Sequence, residues 1–581
     1  MSKEANDRPE KLAADAAYYE RLAILHHWYH FRRETELYES LPIPSEFKDN
    51  QFVLTSRVKR RLSSSMRAMA DIHLPVADAL ALFSVHSGNS SSVVYGESHL
   101  SDAAAVHLKQ VGPDEVNMRL AKNIMDQESA ERAERLTEEF NVRIKQWYAV
   151  VQRAGPEKRL LAEQDAQHAA LLGVICEICK PKMLTAADAV PWSSLVNSDT
   201  GLLGIFEGSE TSENDEPDAL SRMTEAGQIT PDVTAMIFFE TVGKNFDLGD
   251  ARLLALASRY SMKLSELCVL TFRNLDRVRI SEKIRWAGKD STPEETGSFW
   301  IWMAMLSAIC SSNYINFYAS RSKAASTWKN FLLYSRKLSA YFEGLRTVWN
   351  FLVQPVEKGL PPMKLSLTVI PGPPSTHLTS MCTSARTLCK VVNDFIRNND
   401  VAKDSREEIS EVVMEDVFPY RRLSEPEEYR KPTPYHAELR IADLLLEEGA
   451  TFAVIGTSEG SCFTCGTALD VWRETRGVNY YTSSSRDWID LSLLPENEAV
   501  RLKVRERIDK LLMIMVRQIQ KAELRNKKYV VDGSESAMDC YAMAETFRRW
   551  FEDIGFGKEA KENFELWQAK DRLELEQETD D

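Results

Sequence analysis

Two short segments of this 581-residue chain carry side chains that could do chemistry together. The first is Pro434-Tyr435-His436-Ala437-Glu438, which opens a segment with helical spacing running through Leu444, Leu445 and Leu446 to Gly449. The second is Gly456-Thr-Ser-Glu-Gly-Ser461-Cys462-Phe-Thr-Cys465, where a short strand passes through a Gly/Ser loop into a helix. The spacing of Cys462 and Cys465 lets one helical turn direct both sulfurs at one point. A helix N-terminus also favours thiolate, because its unpaired N–H groups and positive dipole end stabilise negative charge. His436 adds a neutral imidazole nitrogen. One nitrogen and two sulfurs suit zinc, with the fourth position left open for water, as a catalytic rather than a structural site requires. Zinc lowers the pKa of such a water to about 7. Glu438, two residues past the histidine, is placed to take and pass on a proton without being a ligand.

H-x-E followed by P-C-x-x-C is the signature of zinc nucleobase deaminases. Each half is weak alone, and their order and helix–strand–helix context make them specific together. The stretch His436-Ala-Glu438, Val454-Ile-Gly456-Thr-Ser458, Ser461-Cys-Phe-Thr-Cys465 and then Trp488 resembles the OTT-type deaminase-like family, expanded in fungi, within the cytidine deaminase-like superfamily. The resemblance implies a mixed sheet sandwiched by helices, with zinc held between two helix N-termini. It also implies that His436, Cys462 and Cys465 are metal ligands and Glu438 the catalyst. Ser461 departs from the proline usual in that superfamily, and a serine there is expected to cap the cysteine helix instead.

The elements that must position these residues are read from periodicity. Residues 1–206 are expected to be a helical region, with two long helices over Asp114–Ala154 and Glu157–Lys180 broken at Gly155-Pro156. Residues 207–218, rich in Ser, Glu and Asp, read as an acidic linker or loop, and 219–354 as a second helical region. Lys364–Pro371 alternates apolar and polar side chains as a strand does, and Pro371-Gly-Pro-Pro374 closes it. Helices over Ser375–Asn398, Tyr435–Gly449, Cys462–Arg476 and Glu498–Arg525 then alternate with strands at Thr451–Gly456 and Val478–Thr482. The fold class expected is thus multidomain. A large, mostly α-helical N-terminal region precedes a C-terminal α/β three-layer deaminase-like zinc domain at 355–530, and a charged helical tail fills 531–581.

Other chemistry-bearing residues have plainer readings. His26 and His30 share a helical face but lack a third ligand. Cys176 and Cys179 form a second C-x-x-C with His168 upstream, and read as packed helix residues, as do Cys382 and Cys389. Cys540 through Glu545 lacks the ligand spacing. Arg57-Val-Lys-Arg-Arg61 reads as a solvated helix end. Residues 501–528 hold ten Lys/Arg against three acids, with an apolar stripe of Leu511, Leu512, Met515 and Ile519. Its cations read as a solvated face, with phosphate binding the alternative.

Composition sets the outer limits. A net charge of −15 argues against generic adhesion to nucleic acid. The start, Met1-Ser-Lys-Glu-Ala-Asn-Asp-Arg, lacks the apolar stretch of a secretory signal, and the longest apolar run, Phe299–Cys310, is too short for a bilayer and reads as a buried helix. An intracellular protein, cytoplasmic or nuclear, without membrane contact is expected. The expected function is hydrolytic deamination of a base in a nucleotide or nucleic acid. The alternative is an inactive deaminase-fold scaffold with structural zinc, whose helical region binds protein partners.

Overall fold

The structure is a computed structural model. It describes residues 18, 21, 22, 25, 53–86, 103–123, 126–154, 160–190, 284, 293–312, 325–371, 379–383, 394, 397, 429–433, 435–484, 493–495 and 497–513. In chain order the elements are α1 (Ser56–Lys59), α2 (Ser64–Phe83), β1 (Ala104–Gln110), β2 (Glu115–Lys122), α3 (Gln127–Ala154), α4 (Leu160–Asp188), α5 (Pro293–Ser311) and α6 (Ala325–Val353). After a 3-10 turn come β3 (Lys364–Val369), β4 (Thr379–Thr383), β5 (Tyr429–Thr433), α7 (Ala437–Glu447), β6 (Phe452–Val454), β7 (Gly456–Thr457), α8 (Phe463–Arg476), β8 (Asn479–Tyr481) and α9 (residues 498–513).

The sheet runs β3-β2-β1-β7. β1 is antiparallel to both β2 and β7, and β2 is parallel to β3. β6 leads into β7 through Ile455, whose N–H bonds to the Tyr481 carbonyl, and β6 pairs in parallel with β8, so the pairing continues beyond β7. The pleat divides the side chains between two cores. Val106, Leu108, Val116, Met118, Leu120 and Leu365 face the helices α2 to α6 in the larger core. Ala105, Ala121, Ala453, Ile455 and Tyr480 belong to the second core, with α7, α8 and α9.

β1 and β2 correct the expectation that residues 1–206 are helical and that a helix begins at Asp114. The physical reason lies in the period. Val116, Met118 and Leu120 alternate with Asn117, Arg119 and Ala121, a two-residue repeat, and Gly112-Pro113 precedes them as a turn. The helix starts only at Gln127. Because Ala105 pairs with Thr457, the hairpin and the strand before the cysteines share one sheet, and the boundary expected at 355 does not separate them in space.

A second correction concerns 375–398, expected to be largely helical. Thr379–Thr383 is a strand paired with Tyr429–Thr433, so Cys382 sits on a strand opposite Arg430. Cys389 lies outside the described residues, as do His26, His30, the acidic segment 207–218, residues 219–283, Trp488 and the tail from 514. The apolar run Phe299–Cys310 is part of α5, with Phe299, Trp300, Met303 and Leu306 buried. Among the described residues no helix is long and apolar enough to cross a membrane.

α7 spans only 11 residues, too few for a stable isolated helix. Leu439, Ile441 and Leu445 are almost wholly buried in the second core. Each such side chain contributes roughly 1.5–3 kcal/mol on burial, so packing rather than propensity holds the helix that carries His436 and Glu438. α9 docks on the same core through Val500, Val504, Ile508, Leu511 and Leu512. Its cations are partly paired, Arg507 with Glu474 and Asp470, and Lys510 with Glu506. Met515 and Ile519 lie outside the described residues.

Gly456 shows how closely α2 presses on the strand before the cysteines. A Cβ there would stand 2.1 Å from the Ala77 carbonyl carbon and 2.3 Å from the Asp78 nitrogen. Backbone atoms cannot yield as a flexible side-chain tip can, so α2 would have to move off β7. Gly456→Ala is expected to destabilise the fold by about 3 kcal/mol or more in chemical unfolding. A loss below ~1 kcal/mol would show that α2 does not hold this position.

Candidate metal centre

His436 occupies the N-cap of α7 in an extended conformation, and its side chain makes no capping bond to its own helix. The cap comes from elsewhere. Asn123, at the end of β2, accepts the Ala437 N–H at 2.9 Å, and its own N–H donates to the Ala103 carbonyl. The imidazole is thereby left to face the cysteines. Nδ1 of His436 lies 3.2 Å from Cys465 Sγ and 3.4 Å from Cys462 Sγ.

Cys462 is itself the N-cap of α8, its Sγ accepting the Cys465 N–H at 3.5 Å. This corrects the expectation that Ser461 caps the helix. Ser461 lies one residue before the cap, fully buried, with an Oγ that has no hydrogen-bond partner, while its N–H donates to the Ser484 carbonyl. The sulfur takes the capping role because the chain enters α8 one residue later than the serine would need.

The loop that delivers Cys462 is held at successive residues. Thr457 N–H donates to Asp78 Oδ1 at 2.8 Å, Ser458 exchanges bonds with Ala104 through its N–H and its Oγ, and Gly460 N–H donates to Thr457 Oγ1 at 3.0 Å. Glu459 pairs with Lys182 of α4 at 2.9 Å, with side chains only 7% and 15% exposed. Helices α2 and α4 and strand β1 are therefore part of the scaffold of this site. None of Asp78, Asn123 and Lys182 was expected from sequence.

His436, Cys462 and Cys465 are all buried, and their ligand atoms lie within 4.8 Å of one another, a group that could hold a metal ion. Tetrahedral ligands at zinc bond lengths stand roughly 3.5 Å apart, close to the nitrogen–sulfur distances here. Glu438 is buried at 6% exposure and is not a member of this ligand group. Burial would push the Cys462 thiol up, yet the Cys465 thiol and the His436 charge beside it bring it well below the usual thiol range. That is the direction a metal ligand needs, since thiolate is the coordinating form.

No family model, curated protein or solved structure matches this chain. The resemblance to the deaminase-like family rests on the sequence motifs alone.

Cys176, Cys179 and His168 are packing residues. Cys176 and Cys179 are fully buried in the larger core, and the Cys179 thiol bonds the Phe83 carbonyl. His168 packs against Trp300 and Trp349, and burial carries its pKa down to about 3. No other group of metal-ligating side chains occurs among the described residues.

Asp78 makes the link between helix and loop testable by pH. Burial raises its carboxyl to about 6, against bonds from the Thr457 N–H and the Ser483 side chain that lower it. Between about pH 4 and 6 the folded chain keeps a proton that the unfolded chain has released, so this residue's contribution to stability falls as pH rises and stays lost above 6. Asp78→Asn removes the titration. The unfolding free energy at pH 7 relative to pH 4 should rise by on the order of 2–3 kcal/mol against wild type. An unchanged difference would show that Asp78 is not buried against the loop.

Proposed function

We propose that this chain is a zinc-dependent hydrolytic deaminase acting on a nucleobase, in a nucleotide or in nucleic acid. The observation that carries the reading is Glu438, a buried carboxylate on the same helix turn as His436 but outside the ligand group. A purely structural zinc site has no use for such a residue. His436, Cys462 and Cys465 would hold the zinc, with one nitrogen and two sulfurs leaving a position open. Zinc bound there supplies Lewis acidity that brings a water's pKa near neutrality.

The chain's own residues handle the protons. Glu438 takes one from the attacking water as oxygen adds to the carbon bearing the exocyclic amine, and gives it to the adjacent ring nitrogen. Glu438 then takes the proton left on the added oxygen and passes it to the amine, the carbon–nitrogen bond breaks, ammonia leaves, and a carbonyl replaces the amine. A mixed sheet with helices packed on both faces, and two helix N-termini that bring His436 and Cys462 together, support the reading. The test is ammonia release by metal-replete protein on cytidine, adenosine, their monophosphates and single-stranded DNA and RNA. Product from any of these supports the reading. Full zinc occupancy with no product from any favours the scaffold.

A further inference from the structure

Arg440 lies one turn along α7 from His436. Helix side chains lean toward the N-terminus of their helix, so its guanidinium reaches back over the turn carrying Tyr435, His436 and Glu438. Its charge interactions with Tyr435 and Glu438 agree with that direction. The residue is 7% exposed, and Nε, Nη1 and Nη2 are all buried without a hydrogen-bond partner. Five donors are thus shut away from both water and protein. Burial has already drawn the guanidinium down to about 10.

Two other buried cations among the described residues are hydrogen-bonded. Arg119 forks onto Glu448 through both Nη atoms, and Lys122 donates to Ser129 at 2.9 Å. Glu438 gives Arg440 a nearby opposite charge but accepts none of its donors. An unsatisfied buried guanidinium is one of the costlier arrangements a core can hold, and an oxyanion removes the cost by accepting two N–H groups at once.

We propose that Arg440 anchors an oxyanion beside the metal centre, a phosphate being the group its planar fork fits best. The nitrogens carry almost no accessible surface, so the anion enters by displacing the present packing of a side chain with several rotatable bonds. That the phosphate belongs to a nucleotide substrate rests on the deaminase reading. The anion site itself does not. On this view a nucleoside monophosphate, rather than a neutral nucleoside, is the substrate class.

The experiment uses the full chain, as wild type, Arg440→Met and Arg440→Lys, with zinc content measured in every sample. Thermal unfolding and binding are followed with inorganic phosphate, with cytidine and adenosine, and with their 5′-monophosphates. Phosphate should raise the wild-type Tm progressively and leave Arg440→Met unmoved, with affinity lower by at least about tenfold. Without phosphate, Arg440→Met should melt higher than wild type, because an unpaired buried charge is gone. Arg440→Lys should keep a reduced response. Monophosphates binding at least about tenfold tighter than nucleosides in wild type alone would assign the anion to the substrate. A phosphate response without that preference would also support the site and assign it to free phosphate. No response in wild type, or an equal response in Arg440→Met, would overturn the proposal. Zinc absent from every sample while the response still depends on Arg440 would sink the metal reading and leave the anion site standing.

Discussion

Replacing Cys462 with serine is expected to cost the chain its metal, its activity and part of its stability together. A hydroxyl is a poor ligand for a soft-accepting divalent ion, so zinc affinity should fall by at least ~10²-fold. Cys462 is also the N-cap of α8 and is buried among Ala468, Leu469 and Trp472 in the second core. Serine can still cap the helix, and loss of the cap is therefore not what lowers stability. The loss comes from the metal, whose binding to the folded chain alone stabilises it by mass action. Adding zinc should accordingly raise the wild-type Tm and leave Cys462→Ser nearly unmoved. Equal metal content and equal Tm in the two proteins would remove Cys462 from the ligand set.

Glu438→Gln should behave in the opposite way. Glutamine keeps the shape of the side chain and removes its capacity to take a proton. Zinc content and fold should survive while deamination falls by at least ~10²-fold, the lower worth of general acid–base catalysis. The comparison must use a substrate that wild type deaminates. A glutamine variant turning over as fast as wild type would show that Glu438 moves no proton in the rate-limiting step, and the mechanism would fail with it.

The contrast between these two variants reflects what could be read in the chain. The ligand group was legible because both helix starts are short motifs, and each turn fixes the direction of its own side chains. β3, β6 with β7, and β8 were legible as alternating or apolar runs between Gly and Pro signals. The supports were not. Asn123 caps a helix 314 residues away, Asp78 holds a loop 379 residues away, and Lys182 pairs across 277. No local pattern encodes such contacts. The hairpin β1–β2 was masked for a different reason, since Glu115–Lys122 lies only a few residues before a 28-residue helix and shares its polar and apolar mix.

Arg440 carries a signal in the helical period. In α7 the apolar positions Ala437, Ile441, Leu444 and Leu445 define a stripe, and residue 440 falls on it. A charged residue at a position the period assigns to the core calls for hydrogen-bond acceptors, and none of its three nitrogens has one.

The most direct test of the metal centre is zinc-edge X-ray absorption on the purified full chain, combined with metal content. About one zinc per chain is expected, coordinated by one nitrogen and two sulfurs at roughly 2.0–2.3 Å, with an exchangeable oxygen completing the shell. A shell of four sulfurs, or undamaged protein that binds no metal, would contradict the site built on His436, Cys462 and Cys465.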